Sequence, residues 1–134
     1  MKKYISLVLL VLWMIFIFTM SNTSSIDSSN QSGFIVEFIN KIFGFGNTEI
    51  LEIIIRKLAH LFEYIVLGVL MINYLKNYKI KRNILFTIVL CFIYACSDEI
   101  HQLFIQGRSG NIIDIMLDTI GAIIGIIIYQ FINN

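Results

Sequence analysis

Four long apolar runs alternate with polar segments along the chain. A bilayer core about 30 Å thick takes roughly 20 helical residues to cross. The pattern predicts membrane-spanning helices at about residues 4–20, 50–75, 83–104 and 112–132. We therefore predict an all-α integral membrane protein, a four-helix bundle that forms a single domain over residues 1–134.

A shorter amphipathic segment separates the first two spans. In "GFIVEFINKIFGFGN" the apolar residues recur at helical spacing, with Glu37 and Lys41 on the opposite side. The segment is too short to cross the bilayer. The sequence therefore predicts a short helix that lies along the membrane interface.

The first span also has features of a secretory signal, because Lys2 and Lys3 precede it and "SNTSSIDSSNQSG" follows it. Its apolar run is long, however, and no small-residue cleavage site comes after it. We predict that the helix is retained.

The composition agrees with a membrane protein. Of the 134 residues 57% are apolar and 14% are charged, whereas soluble domains average about 25% charged residues. The formal net charge of +1 leaves no basic surface for nucleic acid. Cys91 and Cys96 lie in one apolar run, which favours small hydrophobic fillers over a disulfide framework.

The basic residues predict the orientation. With four spans, one side of the membrane receives most of the lysines and an arginine, namely Lys2, Lys3, Lys76, Lys79, Lys81 and Arg82. The positive-inside rule makes that side cytoplasmic. Both termini are then inside, and the loop around "QGRSGN" faces outward.

The third span has too few apolar residues to cross the bilayer core. The run from Ile84 to Cys96 makes about 20 Å of helix, roughly 10 Å less than the bilayer core. The rest must come from "SDEIHQLFI", which submerges Asp98, Glu99, His101 and Gln102. Glu63 in the second span and Asp114 and Asp118 in the fourth enter from the same outward side.

Charged residues in a bilayer must be hidden from lipid, since each costs about 2.5–3.5 kcal/mol near the centre. Helical spacing aligns them into three stripes: Arg56, His60 and Glu63; Asp98, His101 and Gln102; Asp114, Asp118, Gly121 and Gly125. The two glycines form a small-residue surface that lets a helix approach closely, either within the chain or in a homo-oligomer. We predict a polar pocket, open to the outer face, built from the second, third and fourth spans.

Several kinds of site fit these residues. One is an ion-pair network, in which Arg56, Lys57 and Arg108 neutralise the carboxylates and hold the helices in register. Another is a metal site in which carboxylates join His60 or His101, although the basic residues would repel a cation and we assign no metal ligands. An ion conduit is a related possibility. The sequence leaves any cofactor unknown.

The remaining possibilities involve an anionic, lipid-linked partner at the outer leaflet. Arg56, Lys57 and Arg108 would bind a phosphate or carboxylate. If the protein is an enzyme, the candidate acid–base residues are His60, Glu63, Asp98 and Glu99. Further candidate binding residues are Tyr64, His101, Gln102, Asp114 and Asp118. A non-catalytic binding protein would use the same pocket.

The segments "RKLAHLFEY" and "SDEIHQLFIQGRSGNIIDIMLDTIGAIIG", with "SNTSSIDSS" after the first helix, resemble the VanZ-like family of small bacterial membrane proteins. The resemblance covers nearly the whole chain and places the family's polar signature on Arg56, Lys57, His60, Glu63, Tyr64, Asp98, Glu99, Gln102, Gly107, Arg108, Asp114 and Gly121. This chain departs from the family pattern at Gln106, where proline is usual, and at Asp118, where asparagine is usual.

The resemblance implies a role at the bacterial cell envelope, in the cytoplasmic membrane. The namesake activity is low-level resistance to teicoplanin, a lipoglycopeptide that acts at the outer face of that membrane. The expected partners are therefore membrane lipids and a lipid-linked cell-wall precursor.

Overall fold

The computed structural model describes residues 2–23, 33, 35–42, 48–78, 80, 82–108 and 110–133. These residues are helical throughout apart from turns and loops, in the order α1 (Lys2–Ser21), α2 (35–42), α3 (Thr48–Lys76), α4 (Asn83–Gln102) and α5 (Ile112–Ile132). All except α2 are long and apolar enough to cross a membrane. The prediction of an all-helical chain with four membrane spans is confirmed, and α2 is the short helix expected between the first two spans.

The four long helices alternate in direction. Ser6, near the start of α1, accepts a hydrogen bond of 3.2 Å from Asn77, just after α3. Ser21, the last residue of α1, bonds to Asp98, near the end of α4. α1 and α4 therefore point the same way, and α3 and α5 point the opposite way. We call the end that holds Ser21 and Asp98 the polar end.

The core is made by side chains that range in size from alanine to tyrosine. Tyr64, Leu67, Cys91, Ala95 and Ala122 are fully buried. Large apolar residues on the other faces stay exposed, as expected for helices surrounded by lipid rather than by water; examples are Leu9, Leu12, Phe92, Ile93, Ile127 and Phe131. Cys91 and Cys96 are free thiols.

Two aromatic side chains tie α1 to its neighbours. The indole Nε1 of Trp13 donates a 2.9 Å hydrogen bond to the backbone carbonyl of Glu63 on α3. The hydroxyl of Tyr94 on α4 donates a 2.6 Å bond to the carbonyl of Met14. Both bonds lie at mid-bundle, where no water competes for the polar groups, so they fix α1 against the pair that it covers.

Three glycines let α3 and α5 meet backbone to backbone. A Cβ on Gly68 would overlap the carbonyl of Ala122, and a Cβ on Gly125 would overlap the carbonyl of Ile65. At Gly121 the added carbon would lie 2.7 Å from the Leu61 carbonyl oxygen. The small-residue surface predicted on the fourth span is thus covered by α3 of the same chain, and a homo-oligomer would have to use other side chains.

α4 ends two residues before the predicted limit. Its last α-helical residue is Gln102, whereas the sequence predicts a helix to about 104. The next three amides, of Leu103, Phe104 and Ile105, bond to carbonyls three residues back at 3.0–3.3 Å. The chain tightens there because it must turn toward α5, and such 3₁₀-type bonds satisfy carbonyls that the helix end leaves open.

The close approach of α3 and α5 predicts that Gly125→Ala destabilises the protein by about 1–3 kcal/mol, because the backbones must separate to admit the methyl group. The measurement is thermal unfolding in detergent. Gly33→Ala is the matched control, since a Cβ there meets nothing within 4 Å. Equal unfolding temperatures for the two variants would contradict the proposed contact.

Candidate functional site

A cavity of about 280 Å³ opens at the polar end between α3, α5 and the loop that joins α4 to α5. Most of its lining is polar or charged: Arg56, Lys57, His60, Glu99, Gln102, Arg108, Asn111, Asp114 and Asp118, with Ile53, Gly107 and Leu117. A smaller space beside it, next to α1, shares Arg56, His60 and Arg108. Most of the residues that the sequence predicts for a polar pocket are therefore neighbours in the fold.

The cavity has a charged rim. Lys57 of α3 and Asp114 of α5 form an ion pair across the two helices, with side chains 39% and 29% exposed. Arg56 and Arg108 also line the cavity, yet neither forms an ion pair with a carboxylate in the described part of the chain. Both arginines therefore face the cavity without a direct ion pair, although the carboxylates of Glu99, Asp114 and Asp118 also line it.

The backbone around Arg108 positions this rim residue. Gly107 has a φ of 76°, a left-handed conformation that glycine adopts at little cost. The turn directs Arg108 back toward α1, where its Nε donates a 3.1 Å hydrogen bond to the carbonyl of Thr23. Burial lowers the pKa of Arg108, and the nearby charge of Arg56 lowers it further. An arginine starts from so high a pKa that it stays charged.

Below the rim lies a floor of buried ionisable groups. The ligating atoms of His60, Asp98 and Asp118 all lie within 4.8 Å of one another. Asp98 is 3% exposed and Asp118 is 1% exposed. Each has one carboxylate oxygen, Oδ1 of Asp98 and Oδ2 of Asp118, without a hydrogen-bond partner. His60 and Asp118 also line the cavity, so the floor is reached from the rim.

The second oxygen of Asp98 is held from two helices. Its Oδ2 accepts a 2.8 Å hydrogen bond from Ser21 of α1, and Gln102 donates a weaker one of 3.4 Å from the next turn of α4. A carboxylate held this way has a fixed orientation, which leaves Oδ1 as its unpaired atom.

Glu99 joins α4 to the start of α5. Its Oε2 accepts a 2.8 Å hydrogen bond from the backbone amide of Asn111. The side chain of Asn111 in turn caps α5 by accepting a 3.0 Å bond from the amide of Ile113. Glu99 thus orders the loop as well as lining the cavity.

Glu63 and Tyr64 lie beside the floor on α3. His60 Nδ1 is 3.4 Å from Glu63 Oε2, close enough for an ion pair when the imidazole is protonated, although neither atom makes a well-formed hydrogen bond. The hydroxyl of Tyr64 is buried without a partner. Its largest electrostatic interactions are with Asp98 and Asp118, so it belongs to the same polar cluster.

His101 lies apart from the other predicted site residues and is not among the lining residues of the cavity. Its ring packs on Phe18 with centroids 4.6 Å apart, and its Nε2 lies 3.2 Å from the side-chain oxygen of Asn22. Helical spacing places His101 on the same side of α4 as Asp98. In the fold, however, His101 packs against α1 and does not line the cavity.

The roles of α1 and of the loop between α4 and α5 were not predicted from the sequence. Ser21 and Thr23 hold Asp98 and Arg108, and Asn111 holds Glu99. A polar segment directly after the first span could have pointed to Ser21 and Thr23. Its polar groups would have no partners in the bundle if α1 were only a membrane anchor. The signal for Asn111 was an N-cap residue just before an apolar run.

Ion pairing accounts for little of the charge at the polar end. Within the described ranges, the ion-pair contacts are Lys57 with Asp114 and His60 with Glu63. Five charged residues take part in no such pair: Arg56, Arg108, Asp98, Glu99 and Asp118. A network whose task is to neutralise the charges would pair these groups.

A family model described as VanZ/LLP1 matches residues 6–133, nearly the whole chain. The chain belongs to the VanZ-like family. Comparison with curated proteins and with solved structures gives no significant match. The four apolar helices and the family together make this VanZ-like chain a multi-pass membrane protein.

The bond between Ser21 and Asp98 predicts that Ser21→Ala destabilises this VanZ-like protein by about 1–3 kcal/mol, because a buried carboxylate oxygen loses its best donor. Ser97→Ala is the matched control. That serine is exposed and bonds only to the carbonyl of Tyr94 in its own helix. Thermal unfolding of both variants in detergent measures the difference, and equal effects would show that the interhelical bond contributes nothing.

Proposed function

We propose that the protein binds the anionic head group of an envelope lipid or lipid-linked cell-wall precursor at the outer face of the bacterial cytoplasmic membrane. The observation that carries the proposal is the pair of arginines, Arg56 and Arg108, which line one cavity without a carboxylate partner in the described chain. Lys57 adds a third positive group at the rim. We call these three residues the anion clamp.

The chemistry of the clamp suits phosphate or carboxylate. A guanidinium group presents several donors in one plane and binds two oxygens of such an anion at once. Partly buried cations also gain more from a counter-charge than exposed ones, because less water competes. An arriving anion would form the direct pair that no carboxylate of the described chain makes with either arginine.

The size of the cavity limits what can enter. Its volume of about 280 Å³ lies at the lower end of the range of about 300–1,000 Å³ that is usual for small-molecule sites. A phosphate or pyrophosphate head group fits such a space, whereas a lipoglycopeptide does not. Any effect on teicoplanin would therefore come from the precursor or lipid that the protein holds, and low-level resistance is the expected phenotype of such binding.

The clamp predicts that Arg56→Gln combined with Arg108→Gln lowers the amount of copurified anionic lipid roughly tenfold or more, since each charge-assisted hydrogen bond contributes about 1.5–3 kcal/mol. Native mass spectrometry of the protein in detergent measures the bound lipid. Arg82→Gln is the control, because Arg82 is an exposed arginine at the opposite end of the bundle. Lipid retained by the double variant at the control level would reject the anion clamp.

A membrane enzyme is the second candidate, favoured by the contact between His60 and Glu63 beside the clamp. A histidine 3.4 Å from a carboxylate can exchange a proton with a bound head group. Glu63, Asp98 and Glu99 would be its carboxylate partners. An enzyme would convert an added lipid-linked substrate to a product of different mass, and Glu63→Gln would stop this conversion while leaving the lipid bound.

The proposal requires the polar end to face outward, with both termini in the cytoplasm. In a background without Cys91 and Cys96, a cysteine at Gln106 should react with an impermeant thiol reagent added to whole cells. A cysteine at Asn77 should react only after lysis. Both positions are exposed in the fold. If Asn77→Cys, and not Gln106→Cys, were labelled in intact cells, the protein would have the opposite orientation.

A further inference from the structure

We propose that His60, Asp98 and Asp118 form a binding site for a divalent transition-metal cation beneath the anion clamp. The ligating atoms of the three residues, which belong to α3, α4 and α5, lie within 4.8 Å of one another. The inference is independent of the lipid ligand, because it concerns atoms below the rim.

The buried carboxylate oxygens point to a ligand. Asp118 Oδ2 and Asp98 Oδ1 have no hydrogen-bond partner, although their side chains are almost fully removed from solvent. Buried charges in proteins are paired or coordinate metals, since an unpaired one is costly. In the described chain no lysine or arginine is paired with either carboxylate.

The local field favours a cation on the Asp118 side of the cluster. The groups that interact most strongly with Asp118 are four other carboxyl groups, those of Asp98, Glu99, Asp114 and Glu63. Arg108, Arg56 and Lys57 act on His60, and Arg108 also acts on Asp98. A cation bound at Asp118 would therefore lie next to several carboxyl groups, with the basic residues nearer to His60 and Asp98.

The donor set indicates the kind of metal. One imidazole nitrogen and two carboxylate oxygens suit Zn²⁺, Mn²⁺ or Fe²⁺ better than Ca²⁺ or Mg²⁺, which prefer oxygen ligands alone. Three ligands at about 2.1 Å from one ion lie at most about 3.6 Å from one another when equally spaced. From a mutual spacing of up to 4.8 Å, each ligating atom would move inward by up to about 0.7 Å to close the cluster around such an ion.

Three protein ligands leave coordination positions free. Sites of this kind hold water or substrate at the open position, whereas structural sites are closed by four ligands. Because His60 and Asp118 line the cavity, the open positions would face the space that the anion clamp surrounds. A metal there would contact an anion held by Arg56 and Arg108.

The test is metal binding by the full-length protein purified in detergent without chelator. Titration with Zn²⁺ or Mn²⁺ should show about one ion per chain, and both His60→Gln and Asp118→Asn should weaken binding at least about tenfold. His101→Gln is the matched control, because the second histidine does not line the cavity. Asparagine has the same shape as aspartate, so Asp118→Asn should fold, and size-exclusion chromatography checks that it does.

A spectroscopic measurement identifies the ligand directly. Pulsed EPR of the Mn²⁺-loaded protein should detect one directly bound histidine nitrogen, which His60→Gln removes and His101→Gln keeps. If the wild-type protein binds neither Zn²⁺ nor Mn²⁺, the inference is overturned. Bound protons would then neutralise the two aspartates. Binding that survives both His60→Gln and Asp118→Asn would overturn it equally.

Discussion

The contact between α3 and α5 determines the geometry of the polar end. Gly68, Gly121 and Gly125 bring the two backbones together. Side chains on the facing sides of α3 and α5, one and two turns away along the helices, are therefore also in contact. Lys57 thus reaches Asp114, and His60 lies near Asp118. Larger side chains at the glycines would separate the helices, and both contacts would be lost together.

Most of the charge at this end of the bundle is arranged in layers. The rim holds Arg56, Arg108 and the Lys57–Asp114 pair, and buried carboxylates with one histidine occupy the floor. α1 holds both layers, since Ser21 bonds to Asp98 and the carbonyl of Thr23 accepts from Arg108. A bundle that needed only mechanical stability could be fixed by packing, so the layering supports the proposal of a bound ligand.

The helices and many of the cavity residues could be predicted from the sequence, because helical periodicity and the length of the bilayer core restrict an apolar chain strongly. The short third span pointed to Asp98 and Glu99 for the same reason, and both are buried in the fold. The roles of Ser21, Thr23 and Asn111 could not be predicted, since they depend on which loops and helix ends meet in space. Periodicity also placed His101 on the stripe of Asp98, but the rotation of α4 in the bundle turns that ring toward Phe18.

The unpaired arginines have a consequence for the equilibrium between folded and unfolded protein. Arg56 and Arg108 repel each other, and the proposed anion would offset this repulsion only while the helices are assembled. A ligand that binds only the folded state raises its stability by RT ln(1 + [L]/Kd), about 2.7 kcal/mol at a concentration one hundred times Kd. For the proposed anion, the melting temperature would therefore be a readout of occupancy, and thermal shift would rank a panel of head groups by affinity.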